Sequence, residues 1–279
     1  MRKIITLLFV LLIFVGTSCK KTPAKDIGND EDMDYVEDID YLDESDNADN
    51  ADDNDLSSDT DNTVDTEKFI TVWKTDLEDA ENPNQITLPL VENGTYDFIV
   101  RWGDGSEDRI NGWNDPALIH TYENPGTYEV RITGIISGWQ FCSGDIEKSL
   151  VCKNPHKLIK IVNWGNFSFG NTEMQFCNCL NLIITAMDVP DLSSTKSLKG
   201  AFFNNRKLSS NIKVGDLEKR DAFNKWDVSN ITDMSWMFTN AVLFNAEINK
   251  WDVSNVRDIS YLFALFHLWP DFHAFNQNI

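Results

Sequence analysis

Three short stretches of the chain, rich in apolar residues, are predicted to be strands. In the last of them apolar and polar residues alternate, which is typical of a sheet with one buried face. The stretches are residues 69–73, 96–102 and 127–132. Two turn sequences lie between the second and the third stretch, Gly-Asp-Gly-Ser at residues 103–106 and Asn-Pro-Gly at residues 124–126. Glycine, proline and asparagine at these places favour tight turns between strands. This part of the chain is therefore predicted to be a β domain.

A different periodicity begins further along, where an eight-residue segment recurs. Residues 224–231 read Asn-Lys-Trp-Asp-Val-Ser-Asn-Ile, and residues 249–256 repeat them at an offset of 25 with Val in place of the last Ile. A weaker upstream copy aligns Phe202 with Phe238 at an offset of 36. Because one unit cannot bury its apolar positions alone, the units are expected to stack.

Each repeat unit is expected to contain a short strand, near residues 247–253 in the clearest copy, and a helical or 3-10 turn near residues 232–239. The difference between the two offsets predicts an inserted loop within residues 213–223. A second insertion is expected around residues 267–272. The final repeat ends on an apolar layer that a solenoid would normally cap, so we expect this layer to mark a truncated family member or to pair with a partner.

The first residues have the layout of a secretion signal, predicted to be residues 1–18. Arg2 and Lys3 precede an apolar run at residues 4–15, which is too short to cross a bilayer comfortably as a permanent helix. Gly-Thr-Ser at residues 16–18 then precedes Cys19 in a pattern that resembles a bacterial lipobox. The resemblance implies cleavage before Cys19 and its lipidation, which would anchor the chain to a membrane. The alternative is an ordinary signal peptide with an incidental cysteine.

Residues 19–66 form an acidic segment of low complexity. The net charge of the chain is −21, and residues 22–66 hold 18 acidic residues against one basic residue. Such a segment cannot bury enough apolar surface to fold, so a disordered linker is expected. A calcium loop is the alternative, but the glycine that its tight turn needs is missing between Asn29 and Asn93. Residues 67–279, with 27 acidic and 19 basic residues, also lack the excess of basic charge that nucleic-acid binding requires.

Two motifs of the β region occur together in one protein family. Trp-Gly-Asp-Gly-Ser at residues 102–106 and His-Thr-Tyr-Glu-Asn-Pro-Gly-Thr-Tyr-Glu-Val at residues 120–130 resemble the hallmarks of polycystic-kidney-disease (PKD) type domains. The resemblance implies an Ig-like β-sandwich over residues 67–140. Gly103 and Gly105 permit a tight turn that Asp104 can cap. The alternative interpretation is a metal or acid–base site formed by Asp104, Asp108 and His120.

The repeat motif also resembles a family. Trp-Asp-Val-Ser-Asn followed by Met-Phe and Phe-Asn is similar to the BspA-like leucine-rich repeat surface proteins, whose repeat is abundant in mycoplasma-type surface lipoproteins. The resemblance implies a leucine-rich-repeat-like solenoid over residues 141–279, with repeats of about 25 residues. The whole chain is then expected to be mainly β with short helices. The resemblance also implies a non-catalytic lipoprotein of the cell surface or outer membrane that binds extracellular proteins or host matrix.

Four cysteines remain after Cys19, and an oxidising compartment favours disulfides. Cys142 and Cys152 are a candidate pair, closing a loop between the two predicted domains. Cys177 and Cys179 would need two further ligands to hold a metal, and the nearby sequence offers none. His267 and His273 are interpreted as loop residues. No metal or other cofactor is therefore expected.

Other functions remain possible from the sequence. Exposed tryptophans could stack on sugar rings, so a carbohydrate-associated accessory protein that binds envelope polysaccharide is one alternative, with Trp113, Trp139 and Trp269 as candidates. A purely structural envelope protein is another. A hydrolase is disfavoured, because paired catalytic acids, a nucleophile elbow and a zinc signature are all missing from the sequence.

Overall fold

The computed structural model describes residues 67–77, 82–208 and 222–266. The signal peptide, Cys19 and the acidic linker lie outside these residues, as do most of the loop predicted at 213–223 and the insertion around 267–272. His267, Trp269 and His273 lie outside them too. Contacts divide the chain into two units, Met1–Ser58 and Asp59–Ile279, and every described residue belongs to the second. None of the described residues forms a helix that is long and apolar enough to span a bilayer.

The described residues form eleven strands and three single-turn 3-10 helices, the latter at Pro116–Leu118, Pro155–Lys157 and Phe223–Lys225. The strands are β1 (Phe69–Lys74), β2 (Gln85–Thr87), β3 (Thr95–Arg101), β4 (Glu107–Ile110), β5 (Ile119–Thr121), β6 (Thr127–Ser137), β7 (Cys142–Asp145), β8 (Ser149–Cys152), β9 (Leu158–Asn163), β10 (Phe167–Ser168) and β11 (Ile183–Ile184).

The largest sheet has seven strands in the order β11-β9-β1-β6-β3-β4, with β10 paired to β6. Its central pairs are antiparallel, whereas β10 joins β6 and β11 joins β9 in parallel. Two-stranded sheets, β2-β5 and β7-β8, complete the strands. The three strands predicted from the sequence are confirmed as β1, β3 and β6. In β3 the side chains of Tyr96, Phe98 and Val100 face inward while the residues between them are exposed.

The predicted architecture, an Ig-like β-sandwich followed by a leucine-rich-repeat-like solenoid, is wrong, although the described chain is mainly β as expected. The dominant feature is one mixed sheet rather than two facing antiparallel sheets. β6 is 11 residues long, and its last two residues, Ile136 and Ser137, pair with β10 from the region assigned to the repeats. β9 likewise pairs with β1. The sheet therefore takes strands from both sides of residue 140, and the described residues form no closed solenoid.

The repeat region also differs from its expected local structure. Residues 247–253 form no strand, and residues 232–239 form turns joined to the next repeat by isolated parallel bridges. Those bridges connect Ser197 to Asp233 and Asp233 to Asp258. The pairs are separated by 36 and 25 residues, so the predicted repeat register is confirmed. The contacts between these repeats therefore lie within residues 232–239, the segment where a helical turn was expected.

Successive repeats are joined by a ladder of backbone hydrogen bonds. The N–H groups of Met234, Trp236, Phe238 and Asn240 donate to carbonyls of the following repeat at 2.8–2.9 Å. The preceding repeat shows the same pattern of alternate donors, at residues 198, 200, 202 and 204. We call this arrangement the repeat ladder. Bonds in the opposite direction complete the ladder, since the N–H groups of Thr232 and Arg257 donate at 2.8 Å to the carbonyls of Lys196 and Thr232 in the preceding repeats.

Aromatic rings form the core of the stacked repeats. The rings of Phe176, Phe202, Phe238 and Phe263 follow one another at centroid distances of 5.6–5.8 Å and interplanar angles of 5–8°. We call these four residues the inner aromatic column. The column is continuous with the core of the sheet, since Phe176 also contacts Trp164. Stacked aromatic pairs add about 0.5–1.5 kcal/mol each to the stability gained from burial.

Candidate functional site

The Gly103–Asp104–Gly105 turn connects β3 to β4. Both glycines have positive φ, 88° at Gly103 and 91° at Gly105. A Cβ atom at Gly103 would lie 2.5 Å from the carbonyl oxygen of Glu129, so only glycine fits there. Asp104 Oδ1 closes the turn by accepting hydrogen bonds from the N–H of Ser106 at 3.0 Å and from its hydroxyl at 2.6 Å.

A cluster of aromatic side chains supports this turn. The other carboxylate oxygen of Asp104 lies 2.8 Å from His120 Nε2, and the His120 ring stacks on Trp102 at a centroid distance of 4.6 Å. The buried Tyr122 hydroxyl donates to the Trp102 carbonyl at 2.9 Å. Trp102 in turn donates from its indole N–H to Asp108 at 2.8 Å. The structure therefore joins Asp104, Asp108 and His120 through Trp102 in one packed cluster.

The hydrogen bonds of this cluster stabilise the turn. Burial raises the pKa of the Asp104 carboxyl, but the hydrogen bonds from Ser106 and His120 outweigh it and lower the pKa to about 2. An activated serine needs a hydrogen bond to a histidine base. Here Ser106 and His120 both bond to the carboxylate instead. Ser106, His120 and Asp104 are thus the residue types of a hydrolytic triad. Because the carboxylate lies between the serine and the histidine, the histidine cannot activate the serine hydroxyl.

An open pocket of about 520 Å³ lies beside the turn. Charged side chains of both signs line it. Arg101 bonds to Glu107 at 3.2 Å, and Arg131 bonds to Glu129 at 2.6 Å. Lys68 also lines the pocket, so three basic side chains face two acidic ones there.

The cysteines fall into two classes. Cys142 and Cys152 face each other across β7 and β8 and form a disulfide. Cys177 and Cys179 are buried free thiols. Burial raises the pKa of Cys177 to about 12 and that of Cys179 well above its ordinary value, so neither is a reactive thiolate at neutral pH. Across the described stretches of chain, no group of three or more His, Cys, Asp or Glu side chains is placed to hold a metal ion.

The tryptophans proposed for sugar stacking are not equivalent. Trp113 is exposed, but Trp139 is completely buried in the core, where it contacts Phe69 and Phe167. A buried ring cannot serve as a sugar-binding platform. The structure therefore supports only Trp113 among the two candidates that it describes.

The sequence analysis missed a column of left-handed backbone positions along the repeats. Met174, Gly200, Trp236 and Tyr261 occupy equivalent places in successive repeats and all have φ between 53° and 63°. A second such column consists of Asn178, Asn204 and Asn240. Glycine and asparagine adopt this conformation readily, whereas a bulky aromatic residue there is a conformational outlier. Repeat alignment could have found the second column from its asparagines, but the first has no common residue type.

The two aromatic residues of the first column lie in a surface cluster. Trp236 packs against Tyr261 at a centroid distance of 4.3 Å and against Phe266 at 5.3 Å, and Phe203 lies 6.2 Å away on its other neighbouring repeat. Tyr261 is 49% exposed and Phe266 is 50% exposed. We call these four residues the outer aromatic cluster. It combines exposed aromatic surface with backbone strain, and both properties are more frequent at binding sites than elsewhere.

A family model described as "Mycoplasma protein of unknown function, DUF285" matches residues 196–279. The match covers the clearest repeats and the whole outer aromatic cluster. No curated protein and no solved structure matches the chain.

Proposed function

We propose that this chain is a non-catalytic lipoprotein of the cell surface whose repeats bind other proteins or host matrix. The proposal takes residues 1–18 as a cleaved signal, Cys19 as the lipidated residue and the acidic segment as a linker. The BspA-like character of the repeats is part of the proposal. The match of residues 196–279 to a Mycoplasma family supports it, since the repeats were recognised by their similarity to mycoplasma-type surface lipoproteins. The PKD-like motifs are interpreted as belonging to a module that presents the repeats.

The observation that carries this proposal is the outer aromatic cluster. A non-glycine residue in the left-handed conformation costs roughly 1–2 kcal/mol. Trp236 and Tyr261 both bear this cost, although the equivalent position in the preceding repeat is Gly200. Stability alone would favour glycine or asparagine at these positions. Large aromatic side chains held at the surface against that preference are explained by a contact with a partner, because tryptophan and tyrosine are enriched among the residues that dominate protein interfaces.

The experiment is a binding screen of the full chain against extracellular matrix proteins and host-cell surfaces. The Tyr261→Gly variant removes an exposed ring and relieves the strained backbone, so it should fold normally and lose most of the binding. Leu243→Ala is the matched control, because Leu243 is an equally exposed apolar residue (49%) outside the cluster. Failure of the wild-type chain to bind above background, or equal binding by both variants, would overturn the proposal.

A further inference from the structure

We infer that strand β8 is a self-association edge, along which a second copy of this chain pairs in the antiparallel direction. The inference goes beyond the proposed function and does not depend on it, since it concerns the β7–β8 hairpin (residues 142–152) and not the repeats. The two strands form a sheet of their own, and among the described residues β8 pairs only with β7. The chain on both sides of the hairpin is described without a gap, from residue 82 to residue 208.

The pairing within the hairpin determines which backbone groups of β8 face outward. Cys142 lies opposite Cys152, and the N–H of Lys153 donates at 2.9 Å to the carbonyl that precedes Cys142. This bond marks Cys142–Cys152 as a non-hydrogen-bonded pair, and because the two kinds of pair alternate, Gly144–Leu150 is another. The N–H and C=O groups of Leu150 and Cys152 therefore point away from β7. No other described residue forms a backbone hydrogen bond with them.

The side chains of β8 leave this edge unprotected. The strand reads Ser-Leu-Val-Cys, without a charged residue or a proline, and it pairs with β7 without a shift in register. Charges, prolines and bulges are the features by which proteins usually prevent edge strands from pairing. Val151, between the two outward-facing residues, is 72% exposed, more than any other large apolar side chain of the described residues. Pairing along β8 would remove this side chain from water.

The edge is complementary to a second copy of itself. Each outward-facing residue offers both a donor and an acceptor, so two β8 strands can pair about a two-fold axis that passes beside Val151. Leu150 of each copy then exchanges both of its hydrogen bonds with Cys152 of the other. Val151 faces Val151 of the second copy in a non-hydrogen-bonded pair, where cross-strand side chains approach most closely.

The charged residues that flank β8 are compatible with this register. Lys148 would lie opposite Asn154 of the second copy, and Lys153 would lie opposite Ser149, so no two like charges face each other. β8 is only 4 residues long, and the contact is much smaller than the interface of a stable complex. The inferred dimer is therefore weak and its population depends on protein concentration.

The test is sedimentation velocity of the full chain at concentrations from micromolar to millimolar, in which a monomer–dimer equilibrium is expected. Val151→Lys should raise the dissociation constant of the dimer by roughly tenfold or more, because like charges would face each other across the axis. Ser143→Lys is the matched control, since Ser143 lies opposite Val151 on β7 and is exposed, but is not on the edge. It should change the constant by less than about twofold. An equal mixture of Val151→Lys and Val151→Glu should associate more tightly than either variant alone.

Amide hydrogen exchange distinguishes this edge from any other mode of association. The N–H of Val151 faces β7 and should be protected at every concentration, whereas those of Leu150 and Cys152 should become protected only as the dimer forms. The inference is overturned if the chain stays monomeric, if both lysine variants behave alike, or if the mixture of charged variants gains no affinity. Dimerisation without added protection at Leu150 and Cys152, or protection of both amides in the monomer, overturns it too. None of these results affects the proposed function, which the Tyr261→Gly binding experiment tests separately.

Discussion

Two adjacent asparagines should respond in opposite directions to the same substitution. Asn205 is completely buried, and neither its amide nitrogen nor its amide oxygen has a hydrogen-bond partner. Leaving a buried polar group unpaired costs about 1–3 kcal/mol. The equivalent positions in the neighbouring repeats are Cys179 and Ala241, both buried and without a side-chain amide. The cavity left by removing the amide group costs about 1 kcal/mol. Asn205→Ala should therefore stabilise the fold, by up to about 2 kcal/mol.

Asn204 is the control, because its side chain is used. Its φ is 59°, and its amide donates to the Asn178 side chain at 2.8 Å. Alanine at this position would pay about 1–2 kcal/mol for the left-handed backbone and lose a hydrogen bond worth about 1 kcal/mol. Asn204→Ala should therefore destabilise the fold by about 2–3 kcal/mol.

Urea denaturation of both variants, followed by tryptophan fluorescence, measures the two changes in unfolding free energy. In thermal melts, 1 kcal/mol corresponds to roughly 2–4 °C for a domain of this size. The melting temperature should rise for Asn205→Ala and fall for Asn204→Ala. If both variants lose stability to a similar extent, the amide of Asn205 has a partner in the folded protein and the reasoning fails.

Three further predictions follow from the core, the turn and the thiols. Phe202→Ala should lower the free energy of unfolding by about 3–5 kcal/mol in urea denaturation, because Phe202 is buried and stacked between Phe176 and Phe238. Phe203→Ala should cost less, because Phe203 is only partly buried; equal losses would contradict the inner aromatic column. The pKa of Asp104 is lowered to about 2 from an ordinary 3.8, so the ionised carboxylate stabilises the fold above pH 3.8 and this contribution is lost as the pH falls toward 2. The difference in melting temperature between wild type and Asp104→Asn should therefore shrink over that range. A constant difference would contradict the stabilising role of the Asp104 hydrogen bonds. Cys177 and Cys179 should resist iodoacetamide at pH 8 in the folded chain, because burial raises their pKa values, and should react fully in urea. Mass spectrometry measures the labelling. Rapid labelling of the native protein would contradict the burial of these thiols.

The strands and the repeat register could be predicted because their signals are local and periodic. The apolar stretches at residues 69–73 and 96–102 and the alternating stretch at residues 127–132 indicated β1, β3 and β6. The offsets of 25 and 36 reappear as bridges between repeats. β10 and β11 could not be predicted. Each is only two residues long, so it has no measurable periodicity, and its parallel pairing depends on tertiary contacts.

The outer aromatic cluster was hidden from the sequence for another reason. Its key positions, Trp236 and Tyr261, are defined by backbone conformation, and both residue types normally indicate an extended chain or a buried core. Their left-handed φ values follow from the ladder that joins the repeats. The strand expected at residues 247–253 is absent, and the backbone hydrogen bonds between these repeats lie at residues 232–240 instead.

Residue-resolved amide hydrogen exchange of the full chain tests the central claim most directly, namely that successive repeats stack in register through backbone hydrogen bonds. The amides of Met234 and Trp236 should exchange slowly because they donate to the next repeat. The backbone amides of the exposed residues Asp227 and Asn230, which donate to no neighbouring repeat among the described residues, should exchange quickly. Fast exchange at Met234 and Trp236, equal to that at Asp227 and Asn230, would contradict the account.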